Sequence, residues 1–329
     1  MVSESNIFKI KTMRTMLFFS VVLTIIKFVA FLMTHSNAIL TDALESIINV
    51  FAGAFALFSV YFAARPKDED HPYGHGKMEY FSAGLEGGLI LIAGCFIIIK
   101  SIYNFSDQAI IHSLDIGLYL SVFAGFCNYL MGTYLLKKGK VHNSTLMVAD
   151  GKHLISDTVS SVGLILGLII IYFTKMYWLD GVIAIVLGVY IFYTGYKLLK
   201  ESVNNLLDEA DYGKLDELIK ILNTYRREKW IDMHNLRVLK YGSHLHVDAH
   251  ITLPWYDNLE DSHSEVSAVE KLIKEQLEGE VEFFIHADPC LPISCSICTL
   301  KDCKMRQSDF VKRLDWTLEN LLPDQKHSL

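Results

Sequence analysis

The chain has few of the residues that mark a soluble enzyme. Only 20% of its 329 residues are charged and six are proline, while 51% are hydrophobic. Mean hydropathy is +0.29. Such a composition excludes a disordered chain and is too apolar for an ordinary cytosolic enzyme. No HExxH helix signature is present, and no GxSxG nucleophile elbow. The usual zinc-hydrolase and serine-hydrolase readings therefore lack their carrying residues. The six cysteines leave the front of the chain almost bare, with only Cys95 and Cys127 before residue 290, both in apolar runs that predict core positions.

What is present is a set of long apolar runs. Six can be read before residue 200, at 15–34, 39–64, 80–104, 114–136, 145–173 and 178–199. Each reaches the ~20 residues a helix needs to cross hydrocarbon. The first starts too early and runs too long for a cleaved leader and is expected to be a retained helix. Charge divides the chain further. Residues 1–206 carry 15 Lys+Arg against 14 Asp+Glu, and residues 207–329 carry 15 against 23. The predicted architecture is an all-α six-helix transmembrane bundle over 1–206, then a soluble acidic domain over 207–289, then a Cys-rich extension over 290–329. The acidic balance argues against a nucleic-acid partner and fits a cation ligand.

Orientation follows from Lys and Arg in the loops. Lys9, Lys11 and Arg14 precede the first run; Arg65, Lys67 and Lys77 follow the second. Lys137, Lys138 and Lys140 follow the fourth, and Lys197 and Lys200 end the sixth. The opposite side has Lys175 and Lys100. Both termini are expected to be cytoplasmic, and the short loops point to a bacterial inner membrane.

The second and fifth runs carry groups that a bilayer normally excludes. The second reads TDALESIINV, with Asp42, Glu45 and Asn49; the fifth reads ADGKHLISD, with Asp150, His153 and Asp157. Glu45 and Asn49 are four residues apart, as are His153 and Asp157, so each pair shares a helix face. Asp42 and Asp150 each precede their pair by three residues, on nearly the same face. Ionisable groups in mid-membrane cost several kcal/mol unless paired or hydrated, so their default reading is functional. Two facing pairs supply four ligands to one tetrahedral ion, and carboxylate oxygen with imidazole nitrogen suits zinc and its neighbours. The competing reading is interhelical hydrogen bonding. Glu86 either pairs with Lys27 or lines a path, and Lys152 is expected to snorkel. The loop RPKDEDHPYGHGKMEY gathers Asp68, His71, His75 and Glu79 as candidates for a second metal site.

In the tail, hydrophobic periods predict α-β-β-α-β: a helix over 212–226, strands over 233–241 and 244–253, a helix over 259–277 and a strand over 281–287. HLHVDAHITL alternates, with Leu245, Val247, Ala249 and Ile251 facing one side and His244, His246, Asp248 and His250 the other, which is expected to be open to a partner. His244 and His246 are expected to be surface residues. His35, His112, His142 and His327 belong to no constellation. After the last strand, Cys290, Cys295, Cys298 and Cys303 are spaced C-x4-C-x2-C-x4-C. In a reducing cytosol four thiols suit a tetrahedral zinc-like ion, with an iron–sulfur cluster as the minor option and free thiols as the alternative.

Together, the six runs, the acidic i,i+4 motif of the second, HPYGHGKxE in the following loop, HxxxD in the fifth and FIHADP near the end resemble the cation diffusion facilitator family of divalent-metal/proton antiporters. The resemblance covers about residues 8–290. It implies a transport site at Glu45, Asn49, His153 and Asp157, with Asp42 as a further candidate carboxylate. Two positions depart from the family pattern: Glu45 stands where Asp or His is usual, and Asn49 where Asp is usual. The resemblance further implies a loop site at Asp68, His71 and His75 and an interlocking pair of Lys77 with Asp208. It implies a cytoplasmic metal site at His234, His250, His263, His286 and Asp288 on a metallochaperone-type, ferredoxin-like domain that dimerises. The implied function is zinc efflux coupled to protons by alternating access and regulated by cytoplasmic metal. The alternatives are an exporter of Fe2+, Mn2+, Co2+ or Cd2+, or a membrane metal sensor without flux.

Overall fold

The structure, a computed structural model, describes residues 4–34, 37–103, 114–174, 179–242, 244–277 and 280–329. The chain divides into two compact units, Met1–Leu207 and Asp208–Leu329.

The first unit contains six helices among the described residues: α1 (Glu4–Thr34), α2 (Asn37–Ala63), α3 (Met78–Tyr103), α4 (Leu114–Val141), α5 (Thr145–Thr174) and α6 (Leu179–Leu206). The shortest, at 26 residues, is about 39 Å long at 1.5 Å per residue, more than the hydrocarbon thickness. Two described stretches, Asn6–Val29 and Met78–Tyr103, are both long and apolar enough to cross a membrane. The helices pair closely as α1 with α2, α3 with α6, and α4 with α5. Glycine permits the tightest of these contacts. A Cβ built on Gly94 of α3 would lie 2.5 Å from Phe192 N of α6, so only hydrogen allows the two backbones to approach this far.

Polar pairs tie the same unit together. Lys9 is fully buried, and its Nζ donates to Glu79 Oε1 at 2.9 Å; Ser144 Oγ donates to the other Glu79 oxygen at 2.6 Å. Glu79 thus leaves the loop cluster in which its sequence position had placed it and joins α1 to α3. Lys152 reaches Glu201 of α6 at 2.8 Å instead of only snorkelling. Lys27 donates to Ser46 Oγ at 2.8 Å, while the charged neighbours of Glu86 are Asp150 and Asp157.

The second unit follows the α-β-β-α-β order: α7 (Tyr212–Tyr225), β1 (Asp232–Tyr241), β2 (His244–Leu253), α8 (Leu259–Gln276) and β3 (Glu280–Pro289). Asp211 caps α7 by accepting from Lys214 N at 3.0 Å, and Asn258 caps α8 by accepting from Asp261 N at 2.9 Å. The sheet order is β1-β2-β3, with β1 antiparallel and β3 parallel to the central β2. A parallel neighbour needs a crossover, and α8 supplies it. Leu245, Val247, Ala249 and Ile251 of β2 are buried against Leu215, Leu218 and Leu222 of α7 and Val269 and Ile273 of α8.

The extension folds back onto this unit. Trp316 and Leu321 are buried in the same core, and Asn223 of α7 and Arg226 just past it hold the backbone at Trp316 and Leu314. The chain's own end also reaches one end of the sheet face expected to be open: Asn235 N donates to Pro323 O at 2.9 Å, and His327 Nδ1 lies 2.9 Å from Asp232 Oδ1, while Phe284 and His286 of β3 stay exposed on that face. His246 is also not a surface residue. It is buried, with Nε2 3.0 Å from Asp248 Oδ1.

Candidate metal centres

Among the described residues, ligand-type side chains come together at one place among the helices and, outside them, in a loop, on the sheet and in the extension.

Among the helices, α2 and α5 meet at Asn49. Its Nδ2 donates to Asp157 Oδ2 at 3.2 Å, and its Oδ1 lies 3.1 Å from His153 Nε2. His153 Nε2 is 3.7 Å from Asp157 Oδ2. A single amide bridges the i,i+4 pair because its two ends have opposite hydrogen-bonding character. His153 Nδ1 is buried and has no partner among the described residues. Asn49, Asp150 and His153 line a small cavity, closed on the α1 side by Met13, Met16 and Leu17. The side chains of Asp42 and Glu45 fall outside the described residues. Glu86 of α3 is buried, and Asp150 and Asp157 are its charged neighbours.

In the loop before α3, Asp68 collects both histidines. Its Oδ1 accepts from His71 N at 2.7 Å and lies 3.0 Å from His71 Nδ1, and its Oδ2 is 3.3 Å from His75 Nε2. Gly74, at φ 87°, makes the turn that returns His75 towards Asp68. His75 is buried edge-on against Phe62, while Asp68 and His71 are about half exposed. Desolvation acts to raise the Asp68 carboxyl, but hydrogen bonds from His71 and the nearby imidazoles outweigh it, and the group lies below its ordinary value. One ligand atom from each of Asp68, His71 and His75 falls within a 4.8 Å group. Lys77 follows in the same loop; Asp208, its implied partner, lies just past α6 at a left-handed φ of 60°.

In the second unit, strand register builds the third group. His234 of β1 pairs with His250 of β2, and His250 with His286 of β3, so three imidazoles form one row across the sheet. A bulge between His234 and Arg237, with Asn235 at a positive φ of 53°, sets this row apart from the rest of the ladder. Asp288, two residues past His286, turns to the same face. Its Oδ2 is 3.2 Å from His250 Nδ1 and 3.4 Å from His234 Nε2. His234, His250 and Asp288 also offer three ligand atoms within 4.8 Å. Burial lowers the His234 pKa against the pull of Asp232 and Asp288, which favours the neutral imidazole that a metal needs. His286 stands at the exposed rim, 3.8 Å from Asp288 Oδ1. His263 is exposed on α8 and is not brought into the group.

One participant had no signal in the sequence. Lys326, from the chain's end, places Nζ 3.5 Å from Asp288 Oδ1 and donates to Pro289 O at 2.9 Å. Only the fold-back of the extension brings it there. His142 stacks on Phe8 at 4.2 Å, and His35 and His112 lie outside the described residues.

Cys95 and Cys127 are half-buried in α3 and α4. The other four cysteines are free thiols around one cavity. Burial raises Cys290 and Cys298 above the ordinary thiol value. Burial also acts upwards on Cys295, but N–H groups of Gln307 and Ser308 and the charge of Arg306 outweigh it and lower the thiol.

Known proteins agree with this layout. Residues 13–207 match the family model described as the cation efflux transmembrane domain, and residues 210–290 match the cation efflux protein cytoplasmic domain. An uncharacterized transporter of Synechocystis, sll1263, is 31% identical over 265 residues, covering 80% of this chain and 85% of the relative. An uncharacterized transporter of Methanocaldococcus jannaschii, MJ0449, is 27% identical over 275 residues, covering 82% and 94%. The cation-efflux pump FieF of Salmonella newport is 26% identical over 269 residues, covering 82% and 88%. Residues 291–329 lie outside both family models. With most of its length matched by the two domains in order, the chain belongs to the cation diffusion facilitator family of integral-membrane cation efflux transporters, a transporter family and not an enzyme family.

Proposed function

We propose that the protein exports a divalent metal ion, zinc foremost, in exchange for protons. The observation that carries this reading is the meeting of Asn49 with His153 and Asp157 across α2 and α5. A neutral imidazole, a carboxylate and an amide carbonyl are donors for a divalent ion of the zinc class. Glu45, next to Asn49 on its helix face, completes the set, and Asp42 stands by as a further carboxylate. Binding requires His153 neutral and the carboxylates ionised, so the ion and protons compete for the same atoms. Glu86, buried with Asp150 and Asp157 as neighbours, is placed to take up a proton as the ion leaves. Rocking of the helices around this site would expose it alternately to the two sides.

Both termini lie on the cytoplasmic side, here of a bacterial inner membrane, and two copies form the working unit. The cytoplasmic-domain match supports the homodimer, and Lys77 with Asp208 holds its parts in register. Metal at His234, His250 and Asp288, with His286 at the rim and His263 supplied on closure, reports cytoplasmic load to the transport unit. The loop group of Asp68, His71 and His75 captures ions near the entrance.

The test is metal flux into proteoliposomes, comparing Zn2+, Fe2+, Mn2+, Co2+ and Cd2+ with and without a pH gradient. Gradient-driven zinc flux that Asp157→Ala abolishes supports the assignment. Saturable metal binding with no flux of any ion would replace it with a sensor. Flux indifferent to the gradient would replace it with a channel.

A further inference from the structure

Between the end of β3 and Thr317 the chain has only one short regular element, a 3-10 turn over Pro292–Ser296. Its core is small: Ile231, Ile297 and Cys298 are buried, with Cys290, Leu300 and Leu314 packed against them. Trp316 anchors the far end of this segment in the main core, and the near end has only this small cluster; irregular segments with so little local core are commonly held by a cross-link or a metal. The segment is nevertheless folded, and its organising feature is the ring of Cys290, Cys295, Cys298 and Cys303 around one cavity.

Three sulfurs of this ring receive a hydrogen bond. Trp255 N donates to Cys290 Sγ at 3.4 Å, and Gln307 N to Cys295 Sγ at 3.5 Å. Tyr256 Oη donates to Cys303 Sγ at 3.5 Å. Arg306 fixes the loops that carry the middle two sulfurs. Its guanidinium donates to Cys295 O at 2.9 Å, Cys298 O at 3.0 Å and Leu300 O at 2.7 Å.

We propose that Cys290, Cys295, Cys298 and Cys303 form a four-thiolate site for a single tetrahedral divalent ion of the zinc class, resident and not transported. Four thiolates and no open position make a closed structural site. No three of the sulfurs lie within 4.8 Å of one another, so ion binding contracts the ring. The site cross-links the end of β3, the 3-10 turn and the loop that follows. It thereby fixes the path that buries Trp316 and carries Lys326 to Asp288. It lies apart from the transport residues and does not depend on the transport reading.

The test uses the full chain in detergent under reducing conditions. Metal-stripped protein is titrated with Co2+. The expected result is a thiolate-to-cobalt charge-transfer band with intense tetrahedral ligand-field bands, saturating at about one equivalent and bleached by Zn2+. The histidine and carboxylate groups elsewhere give no thiolate band. Cys295→Ser with Cys298→Ser should lose the band while Co2+ binding at the other groups persists. Because that variant can misfold, thiol reactivity of the unaltered chain is measured with and without Zn2+. Protection of the four thiols by zinc, leaving Cys95 and Cys127 unchanged, supports the site. Equal reactivity in both states, or no charge-transfer band, overturns it. Acid-labile sulfide with a visible chromophore as purified also overturns it, in favour of an iron–sulfur cluster.

Discussion

The two units solve the packing problem with opposite materials. The helical unit brings α3 against α6 through glycine and ties its helices with buried polar pairs, of which Lys9–Glu79 is the most enclosed. The second unit packs leucine, valine and tryptophan between two helices and a sheet. Lipid tails are as apolar as leucine, so a membrane helix gains little by burying leucine against its neighbour. Close backbone approach and polar pairing supply the specificity instead. In water, burial itself drives folding. The contrast predicts that small changes of volume break the first unit and loss of volume breaks the second.

The largest expected effect is at Gly94. Gly94→Leu places a side chain where Phe192 backbone stands, and the full chain should fail to elute as a monodisperse species in detergent. Normal elution and flux would show that α3 and α6 tolerate separation. Next is Glu79→Ala, which strands the fully buried Lys9 ammonium. It should cost about 3–5 kcal/mol, read as a large drop in thermal unfolding temperature, with Glu79→Gln intermediate. Trp316→Ala removes a side chain that is 2% exposed and should cost about 3–5 kcal/mol. Hydrogen exchange should rise in β1 and α7 and stay unchanged in α1–α6. Protection lost equally in both units would erase the contrast.

A smaller effect is expected at Lys326. Its ammonium lies 3.5 Å from Asp288, so a metal ion at that carboxylate must displace or repel it. Lys326→Met should tighten Zn2+ binding at the His234–His250–Asp288 group by about fivefold to tenfold, measured by calorimetry. Unchanged affinity would mean that Lys326 swings clear at no cost. The smallest effect is at Lys220, paired with Asp216 on the exposed face of α7; Lys220→Ala should shift stability by under about 1 kcal/mol.

Much of the second unit was legible because its periods are local. Alternation in HLHVDAHITL fixes the inner face of β2, and the hydrophobic periods placed the ends of α7 and α8 to within about one residue. The i,i+4 spacing of His153 and Asp157 likewise put both on one face of α5. The spacing did not reveal that one amide, Asn49, would bridge them from another helix. Glu79 was misplaced because its partner Lys9 is seventy residues away in sequence, and its proximity to His75 in sequence was the stronger local signal. His246 was misread because alternation gives a residue's face and not what covers that face.

Local sequence set the class of the molecule: apolar runs of membrane length, intramembrane acids and a histidine at helical spacing, an alternating tail and a four-cysteine segment. These are properties of neighbours along the chain, set by helix and strand periods and by the cost of charge in hydrocarbon. Tertiary structure decided which distant residues share an atom's reach. The row of His234, His250 and His286 exists only because two strand registers and a bulge align it. Lys326 meets Asp288 because the chain beyond β3 folds back, with Trp316 buried in the core of the unit. Register, bulge and fold-back are set by pairing and packing across the whole unit, and no local window of sequence contains them.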